Sequence, residues 1–549
     1  MKKISFIFYQ IFFLIFCFLY FSAFGAGIPD KNNRQNDNSA MKLAGTPTYQ
    51  ILNINNITTW MRSDGQQNHS PSNGNGSYFP RGTGGVIYQD GFVWGGKAYL
   101  DAGLTTPAPT QLIRIGGQTY NIGTRAGRII GTGAMAIAQS PTDPDVRIYR
   151  IRRDYPELDI QELKQDAAEL FEVQLTHVTT TQTNYILDQY AKDWDEWPVV
   201  YGAPYVERNG IPGYQKPKPF SNTFTIDSLI VYNYDEPGLA GIDPNSPADQ
   251  VVWTVINDLD RYASTGLFGS EPLGLEAQIT LWGYKRTDAL GNLYFKKIKF
   301  INKGGVDIGG GSKGSFYIDS MYFAQWADPD LGYYGDDICG VDMNLFPPMT
   351  GKPNSLGFVY NGNAVDAEFK KFNLPPPAVG YDFLQGPLVS GLPSDSGVFN
   401  LKRVYGKKNM PMTSFAYFSA GSGISDPPFT YEGGLRWWRM LQGYVPDAST
   451  APWRLYPHPP EVTETKFPLN GDPVKKTGFI DGLHTAYSLS PGDRRIVLNT
   501  GPFSLAPGDT QEVVMATIGG IGADRLSSIS TLNPDCSIGY KFLMTAIRE

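Results

Sequence analysis

The chain has 549 residues, of which 61 are Gly and 41 Pro; 13% are aromatic, only 18% are charged, and the formal net charge is −7 with a pI near 5.3. A disordered chain has few aromatics and high charge, a helical rod has little Gly or Pro, and a nucleic-acid binder needs a basic footprint, so all three classes are excluded. What remains is a turn-rich, aromatic-rich and mainly β protein, and at about 150 residues per domain it divides into several.

Lys2 and Lys3 precede eleven unbroken apolar or aromatic residues at 11–21, and small residues follow at Ala23, Gly25 and Ala26. This is the layout of a secretory signal peptide cleaved near Gly25, which predicts a secreted, extracellular or cell-surface protein, with the periplasm as an alternative. The rival is a retained anchor, but residues 4–21 contain Ser5 and Gln10 and fall short of the ~20 apolar residues of a span. Phe16 stands where a lipobox before Cys17 needs a small residue. No second apolar run is long enough to cross a membrane, so no span is expected after cleavage. The mature chain keeps Cys339 and Cys536, which allow one bridge or two buried thiols and no disulfide framework.

Residues 26–50 are polar and read as a leader. Residues 51–156 carry short β-like runs broken by glycine pairs and form an N-terminal β-domain. At 157–200 the period changes: Ile160, Leu163, Ala167 and Leu170, then Ile186, Tyr190, Trp194 and Trp197, recur at helical spacing. Asp159 with Glu162 three positions on predicts a capping box, so this segment is a small helical pair. Residues 201–350 return to strands, at 224–232, 251–256, 275–284, 294–301 and 316–323, as a β-sandwich. In this segment Leu275, Ala277, Ile279 and Leu281 alternate with Glu276, Gln278, Thr280 and Trp282. Residues 351–549 form a loop-rich region with one short helix near 435–441 and a C-terminal β-domain. Its turn Ala506-Pro-Gly-Asp509 has the residues a type II turn requires. Fold class is therefore mainly β: a multidomain, β-sandwich-like architecture with one helical insertion.

The densest chemical signal is Asp328-Pro-Asp330-Leu-Gly-Tyr-Tyr-Gly-Asp336-Asp337-Ile-Cys-Gly-Val-Asp342. Five carboxylates in one loop repel each other unless a cation neutralises them, and Ca²⁺ is the hard, oxygen-seeking ion expected outside the cell. Asp328, Asp330, Asp336, Asp337 and Asp342 are the candidate metal ligands; the competing reading is a solvated loop whose Asp residues cap turns. Similar short text at 142–145, 243–245 and Asn257-Asp258-Leu-Asp260 reads as turns, the last with a chance of meeting the 328–342 loop. There is no HExxH, no G-x-S-x-G and no paired histidines among His69, His177, His458 and His484, so no catalytic residue is assigned. Asp193-Trp-Asp-Glu-Trp197 has the residue types of a glycosidase but sits in the second helical pattern, where the tryptophans read as a buried stripe. Trp437-Trp438 between Arg436 and Arg439 is a candidate sugar platform, with core packing as the competing reading. Arg147, Arg150, Arg152 and Arg153 sit on a strand, and their expected partners are the protein's own carboxylates.

The runs Ala248-Asp-Gln-Val-Val-Trp-Thr-Val-Ile-Asn-Asp-Leu-Asp260, Pro272-Leu-Gly-Leu-Glu276, Phe300-Ile-Asn-Lys303, the 328–342 loop, Gly471-Asp-Pro-Val474 and Gly501-Pro-Phe-Ser-Leu-Ala-Pro-Gly-Asp-Thr-Gln-Glu512 resemble a family of large secreted proteins of Gram-negative bacteria that use type IX secretion. The resemblance runs from about residue 80 onward and implies location, since that family has no assigned activity. Two departures stand out. Glu207-Arg-Asn-Gly210 is a reduced version of an Asp/Asn-rich loop, and no C-terminal sorting domain is recognisable before Glu549. Taken together, the sequence predicts a secreted, non-enzymatic protein with a structural, assembly or binding role, stabilised by Ca²⁺, with glycans or other surface proteins as partners. The alternative is a carbohydrate-binding or carbohydrate-processing protein.

Overall fold

Period-two segments that are apolar on both faces are built to sit inside a layered structure, and that is where they lie. The computed structural model describes residues 48–72, 74, 76–204, 248–343, 355–447 and 452–545, without the side chains at 533–534, 536–537 and 542–545. The expected signal peptide, most of the leader, the 224–232 strand, the 243–245 turn, the Glu207–Gly210 loop and the Cys536 side chain fall outside these residues. Among the described residues, no helix is long and apolar enough to cross a membrane.

The protein is mainly strand, 37%, with 18% helix. Two antiparallel sheets dominate. The smaller has five strands in the order Ser414–Ser419, Arg494–Leu505, Tyr317–Asp328, Gln89–Tyr99 and Ile113–Gly117. The larger has nine: Tyr149–Arg152, Gln250–Asn257, Leu275–Gly283, Leu293–Asn302, Thr510–Gly520, Ala378–Gln385, Leu356–Asn361 and Asp337–Asp342 in sequence across the sheet, with Arg125–Ala126 paired to Gln250–Asn257. Each sheet takes strands from all three β segments of the sequence.

The sheets face each other across one apolar core. Ile279, Ile298, Phe300 and Met515 of the larger sheet share a buried cluster with Phe92, Trp94, Phe323 and Val497 of the smaller. Phe300 stacks on Phe323 at 5.7 Å between ring centres and meets Phe503 at 5.9 Å. The other face of the larger sheet is not solvated. Trp253, Trp282, Phe295 and Ala516 pack there with Trp194 and Trp197 from the helical pair and with Ile529 and Leu532 from the C-terminal helix. The 275–282 alternation thus separates two buried faces: its apolar set fills the inter-sheet core, and Glu276, Gln278, Thr280 and Trp282 are buried on the other side.

The helical pair lies at Ile160–Leu170 and Thr180–Asp195. Asp159 caps the first helix alone, accepting from the Gln161 and Glu162 N–H groups, while Glu162 turns away to Arg152 and Lys285. The reciprocal capping box belongs instead to Thr179 and Gln182 on the second helix. Tyr431–Met440 is the short helix, one turn earlier than its sequence pattern. The expected turn at 506–509 is present, with Gly508 at φ +85°. The helix Arg525–Thr545 has no counterpart in the sequence reading, because Pro534 and Gly539 interrupt its text.

Candidate functional site

Three strand ends converge at one end of the sandwich. Asp328 closes the strand Tyr317–Asp328, Asp330 follows in the loop, Asp337 opens the strand Asp337–Asp342, and Asp493 immediately precedes Arg494–Leu505. The loop turns back at Gly332, whose φ is +71° and where a Cβ would lie 2.3 Å from Asp366 Oδ1, so only glycine fits. Its N–H donates to the Gly85 carbonyl at 2.9 Å, which fixes the loop against the strand edge. The Gly492 N–H donates to the Asp337 carbonyl at 2.9 Å and docks the Pro491-Gly492-Asp493 turn beside the loop.

Carboxylate oxygens of Asp328, Asp330 and Asp493 lie within 4.8 Å of one another, the spacing of a possible cation site. Asp328 and Asp330 are buried and Asp493 is half-buried. Asp337 faces the group: burial, followed by the charges of Asp330, Asp336 and Asp493, pushes its carboxyl well above the usual range. Both Asp337 oxygens are fully buried with no side-chain donor, and one backbone group, the Leu331 N–H, favours the charged form. The guanidinium packed among these acids is Arg495, fully buried, at 2.9 Å from Asp493, 3.4 Å from Asp328 and 3.7 Å from Asp426. Its Nε donates to Tyr120 Oη at 2.6 Å, and that hydroxyl donates to Asp328 at 2.8 Å. Asp328, Asp426 and Asp493 around one guanidinium, with Asp330 beside them, leave an excess of acids, which a hard divalent cation would neutralise with oxygen ligands.

Of the five candidates the structure brings Asp328 and Asp330 into one group, and Asp337 lies near enough to feel the charges of Asp330 and Asp493. Asp336 is turned aside, accepting from the Asn363 N–H at 2.9 Å and from Asn361. Asp342 lies at the far end of its strand, five residues from Asp337, about 16 Å at the rise of a strand. Asp493 is the member that the linear reading missed. Its available signal was the Pro-Gly-Asp turn, which alone means only a turn; the long separation in sequence from 328–337 hides the rest.

Other candidates resolve into structure. Asn257 and Asp258 do not reach the acid loop: Asp258 accepts from the Leu273, Gly274 and Leu275 N–H groups at 2.8–3.0 Å, and burial pushes its pKa up to about 6. Asp260 caps the helix Arg261–Phe268 and pairs with Arg125. Trp437 and Trp438 are buried against Phe268, Phe418 and Tyr322, so this pair presents no open sugar platform. Trp194 and Trp197 are buried, as the stripe reading expects. Arg150 meets Asp166 and Arg147 meets Asp193 and Glu196, the internal carboxylates expected for that strand. Cys339 is a buried free thiol.

No family model matches the chain, and no curated protein matches it. Among solved structures, a copper-containing benzylamine oxidase from Hansenula polymorpha aligns with 10% identity over 52% of this chain and 42% of that one, at a TM-score of 0.21. The alignment thus spans less than half of the oxidase, and at that score it carries no argument about activity.

Proposed function

We propose that this is a secreted or cell-surface protein with a structural, assembly or binding role, without an enzymatic centre, and that a calcium ion held by Asp328, Asp330, Asp337 and Asp493 fastens three strand ends of its sandwich. The observation that supports the ion is Asp337: a carboxylate with both oxygens buried and without a side-chain donor, facing three further acids. Native proteins seldom leave such a group unsatisfied, and an ion is one of the few partners that would satisfy it. Location rests on the signal-like N-terminus and on the resemblance to large secreted proteins of type IX-secretion bacteria. The partner class that fits this reading is a surface glycan or another surface protein.

Calcium that binds only the folded form raises stability by about 2.7 kcal/mol at a hundredfold excess over its Kd. Thermal unfolding in EDTA and in calcium, for the wild type and for D330N/D337N, tests the site. The expected result is a lower Tm in chelator that the double variant no longer shows. An identical melt in both buffers, after metal removal is verified by elemental analysis, refutes the ion. A glycan array read alongside a reducing-sugar release assay tests the partner: release of sugar would refute the non-enzymatic reading.

A further inference from the structure

The inter-sheet core holds a second buried polar group, far from ordinary for its position. Lys296 points from the larger sheet into the apolar core between Tyr294 and Ile298, and Asp90 points to it from the smaller sheet; both side chains are completely buried. Lys296 Nζ lies 3.2 Å from Asp90 Oδ2 and donates to Gln67 Oε1 at 2.5 Å. Gln67 is the backbone neighbour of Asp90, which donates its N–H to the Gln67 carbonyl at 3.1 Å. Tyr381 Oη and Gln325 Nε2 both donate to the same Asp90 Oδ2, at 3.0 and 3.2 Å. Three atoms of the group have no hydrogen-bond partner although they are buried: Gln67 Nε2, Asp90 Oδ1 and Gln325 Oε1. An amine, a primary amide and a carboxyl are thus held together where water does not compete, with the amide nitrogen and one carboxyl oxygen left open.

We propose that Lys296 and Gln67 join through an intramolecular isopeptide bond, with Asp90 as the group that carries the proton. The reaction needs no co-reactant. One proton passes from the Lys296 ammonium to Asp90 Oδ2, which frees the Nζ lone pair. That pair attacks Cδ of Gln67 and the C=O electrons move to Oε1. As they return, the bond from Cδ to Nε2 breaks, and the departing nitrogen takes a proton through Asp90 and leaves as ammonia. Of the three Nζ protons, one remains as the new amide N–H, one leaves in the ammonia and one stays on Asp90, which ends as a neutral carboxylic acid. Burial already favours the neutral amine, because it lowers the Lys296 pKa. The carbonyl carbon lies one C=O bond, about 1.2 Å, beyond an oxygen that Nζ already touches, so a small turn of the amide gives a near-attack contact. The product replaces a buried ion pair with uncharged, hydrogen-bonded groups, which removes a desolvation cost. It also ties the 66–68 loop covalently to the centre of the larger sheet.

Peptide mapping of the purified full chain by mass spectrometry, after denaturation and reduction, tests the bond. Trypsin cleaves after Arg62, Arg81, Arg286 and Lys297, so the expected result is peptide 63–81 linked to peptide 287–297, with Lys296 uncleaved and a mass one ammonia below the sum of the two. In D90A the linked species is lost and both free peptides return. Wild-type protein that yields only the two free peptides overturns the proposal, whether or not D90A folds. A linkage from Lys296 to the peptide that contains Asp90, with loss of one water, overturns the assignment to Gln67.

Discussion

Two regions of this molecule bury several charges, and they resolve them in opposite ways. Where the strand Tyr149–Arg152 meets the helical pair, cations and anions match: Arg150 pairs with Asp166, Arg147 with Asp193 and Glu196, and Arg152 with Asp154 and Glu162. Tyr190 Oη and Asn53 Nδ2 donate to Asp166, so that carboxylate is hydrogen-bonded on both oxygens. At the end of the sandwich, Asp328, Asp426 and Asp493 share Arg495, and Asp337 has no side-chain donor. Asp166 and Asp337 show the contrast in the direction of their pKa shifts, although Asp193, desolvated beside Arg147, is also raised. Asp166 is held below the usual range despite its burial, because Arg150 and its hydrogen bonds outweigh desolvation, whereas desolvation and like charges push Asp337 well above it. A buried acid with its own guanidinium is a structural tie; a buried acid among other acids carries an uncompensated electrostatic cost.

Breaking the matched region produces the largest effect. D166A leaves the completely buried Arg150 without its carboxylate and costs about 3–5 kcal/mol in urea unfolding, with no dependence on calcium. Losing only a few tenths of a kcal/mol there would mean that the tie is solvated. Next comes the core that both regions border: F300A removes a ring stacked between the sheets and costs about 3–4 kcal/mol by the same measurement.

The acid cluster answers in the other direction. In chelator, D337N relieves repulsion and makes the protein more stable than the wild type, while in calcium the order reverses. The sign of the pH effect follows from the raised folded pKa. The protonated form is favoured in the fold, so the penalty is absent below the ordinary carboxylate range, about pH 4, and grows as pH rises through the folded pKa. Metal-free wild type therefore converges on D337N in acid and separates from it toward neutrality, as differential scanning calorimetry will read. Curves that stay parallel from pH 4 to 8 would show that Asp337 is solvated. The smallest expected effect is at the outer edge of the matched region: T179A removes an exposed capping box and costs about 1 kcal/mol.

Much of this was legible in the residues. Residue pattern places strands at 275–284 and 294–301, which the structure sets at 275–283 and 293–302, helical spacing places the pair within 157–200, and the arginines of 147–153 announce their acidic partners, because these are local periodicities or simple charge arithmetic. The capping box was assigned to the wrong helix, since Asp159 and Glu162 have the right types and only the surroundings show that Glu162 prefers Arg152 and Lys285. The helix at 525–545 was hidden by its Pro and Gly, which tertiary packing overrides.

By itself, then, the sequence determined the class of the protein, the strand text, the acidic loop and the features that point outside the cell, since composition and short-range pattern carry them. Only the tertiary structure decided which acids meet. It grouped Asp328 and Asp330 with Asp493 from the neighbouring strand of the smaller sheet, placed Asp337 beside them, and set Asp336 and Asp342 aside. It also buried Trp437 and Trp438 and brought Lys296, Gln67 and Asp90 to one point. Those groupings depend on which strand ends coincide in space, and strand order in an antiparallel sandwich is set by long-range pairing that no local spacing records.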